Sequence, residues 1–180
     1  MNRLQIINGC INKDKKCQQK LYAHYAGWAA TICRRYIYDN EKAQEAMQDG
    51  FLRVLNNIEQ FDMEKGSLKQ WMARIFINCS LKITKKEAFN NSFSSLDDMD
   101  REPMDPNEFY KMDGEGILRF LHGMPVGYKT VFNMSVIDGY SHKEIASSLK
   151  ISEITSRSQL FKAKKWLKKN VDVKEIQSRM

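Results

Sequence analysis

An all-α chain of two small helical domains joined by an acidic linker is the architecture predicted by three observations. Across 180 residues there are nine glycines and three prolines, too few for the turns that many short strands require. Apolar residues recur at steps of three and four in both halves of the chain, the period of an amphipathic helix. Between the halves, residues 90–113 lose that period and hold two of the prolines, Pro103 and Pro106. These features predict a helical domain over 1–89, a flexible linker over 90–113 and a second helical domain over 114–180. The 42% hydrophobic content suffices for packed cores and excludes a disordered chain.

Several classes fall away early. The longest apolar stretch, residues 25–33, ends at Arg34 and Arg35, far short of the ~20 residues that span a bilayer. The N-terminal MNRLQIINGC lacks the apolar segment and cleavage site of a signal peptide. A soluble, cytoplasmic protein without membrane insertion is expected. Cys10, Cys17, Cys33 and Cys79 stand 7, 16 and 46 residues apart, which matches no zinc spacing. Reduced thiols acting as small hydrophobes are expected, with no metal and no cofactor.

The charge is uneven. The chain carries +7, yet residues 90–113 carry −5, leaving +12 on the two helical domains. Residues 150–169 hold seven bases against Glu153, and Lys82, Lys85 and Lys86 form a smaller cluster before the linker. Basic domains on an acidic tether suit a polyanion, most often nucleic acid.

In the first domain, Leu21, Tyr25, Trp28, Ala29, Ile32 and Tyr36 predict a helix over 18–38. Asp39-Asn40 stops it and caps the next. Ala43, Ala46, Met47, Gly50, Phe51, Val54, Leu55 and Ile58 form the second stripe. A third helix begins near Ser67, with Leu68, Trp71, Met72, Ile75 and Cys79 inward. Glu45, Gln48, Asp49, Arg53 and Asn56 share the polar side of the second helix, a solvated face or a protein-docking one. The loop from Gln60 to Gly66 offers an aromatic, a glycine and mixed charge, and loops on rigid scaffolds often carry recognition.

In the second domain, residues 117–121 make a short helix and Met124-Pro125 a turn. A helix over 127–138 should place Tyr128, Val131, Phe132 and Val136 inward. Ser141 and Glu144 then form a capping box, Ile145, Ala146 and Leu149 face the core, and 150–152 turn the chain with Ile151 filling the angle. Ser152 caps a last helix with Ser156, Leu160, Ala163 and Leu167 inward. This is a helix-turn-helix. Arg157, Ser158, Phe161, Lys162, Lys164 and Lys165 lie on its outer face. Arg157 can fork onto guanine N7 and O6, Ser158 and the lysines suit phosphates, and Phe161 fits a thymine methyl or packs back on its own domain.

Taken together the halves resemble the extracytoplasmic-function sigma factors, bacterial initiation factors that keep conserved regions 2 and 4. The first match runs from Asp39 through Ala43-Gln44-Glu45-Ala46-Met47-Gln48-Asp49-Gly50-Phe51-Leu52-Arg53-Val54 to Phe61, Gly66-Ser67-Leu68, Trp71-Met72, Ile75 and Asn78. The second runs from Gly139-Tyr140-Ser141-His142-Lys143-Glu144-Ile145-Ala146 to Thr155-Ser156-Arg157-Ser158-Gln159-Leu160-Phe161-Lys162-Ala163-Lys164. The resemblance implies a non-enzymatic factor that binds core RNA polymerase and promoter DNA, under a separate anti-sigma factor. It implies that Glu45, Gln48 and Arg53 grip the polymerase clamp coiled coil. Phe61, Asp62, Lys65 and Gly66 would capture a flipped base of the −10 element, with Asn78 at the melting step and Lys82, Lys85 and Lys86 on phosphates. Arg157, Ser158, Phe161 and Lys162, with Lys164 and Lys165, would read the −35 element. The 24-residue linker can extend to about 80 Å, against roughly 50 Å of duplex between the elements.

Two positions depart from the family: Lys150 and Ile154 stand where relatives usually have glycine or another small residue. The alternative is a stand-alone helix-turn-helix regulator of duplex operators, which leaves the first domain's loop and basic helix end unexplained. An enzyme acting on phosphodiesters would need clustered carboxylates on a rigid frame, whereas the acids here concentrate in the linker.

Overall fold

The computed structural model describes residues 4–85 and 112–171 in full, and the backbone of residues 3 and 86–90. The chain divides into two units, Met1–Ser92 and Phe93–Met180. Apart from Asn90, Met112 and Asp113, the expected acidic linker lies outside the described residues.

The first unit is built from α1 (Arg3–Ile11), α2 (Lys15–Tyr36), α3 (Asn40–Asn57) and α4 (Leu68–Asn90). Helix α1 is not evident from the sequence: its apolar run is short and the residues around it are polar. It buries Ile7 and Cys10, and the left-handed Lys13 (φ 59°) turns the chain into α2. Asp14 caps α2 by accepting from the Cys17 N–H at 2.7 Å. Asp39 caps α3 through the Glu41 and Lys42 amides, at 2.9 and 3.1 Å, as its sequence position predicts. Ser67 and Gln70 close a reciprocal cap at the start of α4: the Gln70 N–H donates to Ser67 Oγ and the Ser67 N–H to Gln70 Oε1, both at 3.2 Å.

Helix α4 packs against both α2 and α3, so it buries more of its circumference than one stripe. Leu68, Met72, Phe76, Ile77, Cys79, Ser80, Leu81 and Thr84 are all buried. Trp71 and Ile75, expected inward, are only half-buried at the edge of that arc. The polar pair inside it is satisfied along the helix itself: Ser80 Oγ donates to the Phe76 carbonyl at 2.9 Å and Thr84 Oγ1 to the Ser80 carbonyl at 3.0 Å. Phe76 stacks edge-on with Phe51 and Trp28, at 5.0 and 6.0 Å between centroids. Helix α3 approaches this ring at Gly50, where a Cβ would overlap Phe76.

The second unit contains α5 (Gly114–His122), α6 (Val126–Phe132), α7 (His142–Leu149) and α8 (Glu153–Asn170). Asp113 caps α5 by accepting from the Gly116 N–H at 2.7 Å. Phe120, Met124, Ala163, Trp166 and Val171 form the core, with Met112, Leu121, Tyr128, Phe132 and Leu167 packed around it. Helix α6 does not continue regularly to Asp138. Residues 133–137 form a π-turn, closed by the Asp138 N–H donating to the Asn133 carbonyl at 2.9 Å. The wider turn accommodates about one extra residue and rotates the residues beyond it by about 100°. Asn133 and Met134 are buried, while Val136, expected inward, is 51% exposed. Gly139, at φ 74°, then redirects the chain into α7.

Candidate functional site

Three surfaces emerge, two on the first unit and one on the second. On the second, the Ser141–Glu144 capping box is complete: the Ser141 N–H donates to Glu144 Oε2 at 2.9 Å and the Glu144 N–H to Ser141 Oγ at 3.3 Å. Ile145 is fully buried. Lys150 turns the chain with φ 58° and ψ 47°, a left-handed conformation that favours glycine. Ser152 caps α8 through the Thr155 N–H at 3.0 Å. A polar tie spans the two helices, with His142 Nδ1 2.8 Å from the Oγ of fully buried Ser156. These devices fix the angle at which α8 is presented.

The outer face of α8 collects the six residues that the sequence points to: Arg157, Ser158, Phe161, Lys162, Lys164 and Lys165 are all exposed. Arg157 pairs with Glu153 one turn earlier, Nη2 to Oε2 at 3.0 Å. Phe161 is 69% exposed, so it does not pack back on its own domain. Lys162 Nζ lies 5.9 Å from the centre of the Tyr128 ring on α6. Ile154, at 78%, is more exposed still.

On the first unit, a 3₁₀ turn over Met63–Lys65 shapes the loop ahead of α4. Asp62 caps it: its Oδ1 accepts from the Glu64 N–H at 3.0 Å and its Oδ2 lies 3.2 Å from Lys65 Nζ. The backbone N–H of Glu64, helped by Lys65, holds the Asp62 carboxyl below its ordinary pKa. Gly66 closes the turn at φ 144°. Phe61 is half-buried against Trp71, with 5.8 Å between centroids.

From Trp71 the exposed side of α4 carries Arg74, Asn78, Lys82 and Lys85 at steps of three and four, a single stripe leading away from the loop. Asn78, Lys82 and Lys85 lie on that stripe, Phe61 meets its start at Trp71, and Asp62, Lys65 and Gly66 belong to the loop that precedes α4. Lys86 lies on the described backbone of α4, but its side chain is outside the described residues. Arg74 joins this stripe without having been expected there, though its spacing four residues before Asn78 is the signal that places it.

Glu45, Gln48 and Arg53 are exposed on α3, and Arg53 Nε pairs with Asp49 Oδ2 at 3.0 Å. Leu52 sits in the middle of this polar face and is 61% exposed. It falls outside the apolar stripe of the helix, on its polar side. The face is an apolar centre ringed by polar groups, the usual make-up of a protein-docking patch.

Among the described residues, no group of three or more His, Cys, Asp or Glu could hold a metal ion. No helix there is long and apolar enough to cross a membrane. The four cysteines are buried and free. Burial pushes the Cys10 thiol up to about 11 and the Cys79 thiol up to about 12.

Comparison with known proteins places both units in one family. Residues 21–88 match Sigma-70 region 2, and residues 115–167 match Sigma-70, region 4. The ECF RNA polymerase sigma-E factor of Haemophilus influenzae is 24% identical over 173 residues, covering 88% of this chain and 89% of that protein. The ECF RNA polymerase sigma factor SigE of Mycolicibacterium smegmatis is 21% identical over 154 residues, covering 83% of this chain and 59% of that protein. Two solved structures share the fold. One is CnrH in complex with the cytosolic domain of CnrY, with TM-score 0.53 and 16% identity over 94% of this chain and 96% of that one. The other is the sigma factor RpoE in complex with the anti-sigma factor NepR from Bartonella quintana, with TM-score 0.57 and 15% identity over 87% of this chain and 97% of that one. With a region 2 unit followed by a region 4 unit, the chain belongs to the extracytoplasmic-function family of RNA polymerase sigma factors, whose members direct promoter-specific initiation of transcription.

Proposed function

We propose that this sigma factor divides its work among three exposed surfaces on its two units. Core RNA polymerase docks on the α3 face through Glu45, Gln48 and Arg53 around Leu52. The loop from Phe61 to Gly66 takes an extruded base of the −10 element, Asn78 assists melting, and Lys82, Lys85 and Lys86 hold the neighbouring phosphates. Extruding a base costs a few kcal/mol, and stacking on an aromatic such as Phe61 returns about 1–3 kcal/mol. Helix α8 reads the −35 element as duplex, with Arg157 on a guanine and Ser158, Lys162, Lys164 and Lys165 on the backbone. Residues 90–113 tether the two units.

The observation that carries the promoter reading is the outer face of α8. A capped helix is held at a fixed angle by the His142–Ser156 tie, and it presents a cationic surface on which Phe161 stands largely exposed. The protein acts in the cytoplasm, without enzymatic activity of its own, and a separate anti-sigma factor regulates it. RpoE and NepR are one such pair in another organism.

Fluorescence anisotropy on labelled duplex promoter DNA tests this, with the chain alone and then with purified core polymerase. Sequence-specific binding is expected once the polymerase is added and weak binding without it. Tight specific binding by the chain alone would instead identify a stand-alone operator regulator.

A further inference from the structure

The outer face of α8 carries two large apolar side chains that its own unit leaves mostly uncovered, Ile154 at 78% and Phe161 at 69% exposed. Seven residues apart, they fall within about 20° of each other around the helix and about 10 Å apart along it. Arg157 and Ser158 lie between them, one on either side of the line that joins them. The row therefore runs apolar, polar, apolar, and Lys162, Lys164 and Lys165 border it.

An apolar pair on a cationic helix suits a partner with apolar spots inside an anionic frame. The major groove is such a surface: the C5-methyl of thymine is its apolar group, and the phosphates flank it. Successive base pairs rise by about 3.4 Å, so about 10 Å of helix covers two or three steps. Arg157, in the middle, meets the pair between.

We infer that Ile154 and Phe161 form a two-point thymine reader, selecting an upstream element in which two T·A pairs, two or three steps apart, bracket a G·C pair contacted by Arg157. This rests on the assignment of α8 to duplex reading, and it gives Ile154 a selective role. An apolar segment of a protein partner is the competing occupant of the same pair.

The test uses the full chain with core polymerase. Sequences bound from a library randomised across the upstream element are selected, and each thymine of the selected duplex is replaced by deoxyuridine, which removes the methyl alone. Loss of one methyl at either bracketing position should weaken binding about fourfold, and loss of both about fifteenfold. Replacements elsewhere should do nothing. Ile154→Ala should erase the deoxyuridine penalty at one of the two positions and Phe161→Ala at the other, which a merely structural effect of either substitution would not do. A selected element whose binding ignores deoxyuridine at every position would overturn the inference while leaving promoter recognition intact, and would favour the protein occupant. Failure to select any upstream sequence would overturn the duplex-reading assignment itself, and the inference with it.

Discussion

Arg157 is the side chain of α8 proposed to contact a guanine. In the free chain its guanidinium bonds to Glu153 at 3.0 Å, an exposed pair of small net value that is readily exchanged for a guanine edge. Arg157→Ala should remove about 1–3 kcal/mol of discrimination at one base pair, read as equal binding to promoter variants at that pair. Unchanged selectivity would take Arg157 out of the reading role. Lys150 occupies a left-handed turn at φ 58°. Lys150→Gly should therefore raise the stability of the second unit by about 1 kcal/mol, measured by thermal melting. At Gly50 the reverse holds, since a Cβ would overlap fully buried Phe76. Gly50→Ala should cost about 1–3 kcal/mol. Asp62 has a lowered carboxyl pKa. Its contribution to the loop is fully present above the unfolded carboxylate value of about 4, and is lost as pH falls through the lower folded value. Exchange protection of the Glu64 amide should track that titration.

The helices are legible in the sequence where caps and stripes agree. Asp39, Ser67, Ser141 and Ser152 all begin helices in the structure, because a short polar side chain before an apolar stripe has one favourable use. Two things are hidden. The π-turn at residues 133–137 has no periodic signature of its own, so regular helical phase assigns Val136 to the core, whereas it is exposed. The wide buried arc of α4 depends on packing against two other helices, which a single stripe does not encode. The exposure of the residues on the candidate surfaces is legible too, since helix phase and loop position set it. Leu52 escapes because a docking face read from its polar side chains passes over a leucine among them. At this scale the loop before α4 offers the sharpest division of labour. Deleting residues 62–65 should leave polymerase binding unchanged while blocking open-complex formation, monitored by permanganate footprinting. Loss of polymerase binding on that deletion would mean that the loop and the α3 face are not separate.

For the whole molecule, the +7 charge adds a non-specific attraction to DNA that depends on salt, and specificity has to come from surfaces that act on one promoter together. The family match covers both units, and the proposed division of work needs both, with α8 assigned to duplex and the α4 surface to melted strand. Run-off transcription with purified core polymerase on a promoter library tests this most directly. The account predicts transcripts from discrete start sites whose templates share both an upstream element and a −10 element, and none when the sigma factor is omitted. Start sites that do not change when this chain is added, or that depend on one element alone, would contradict it.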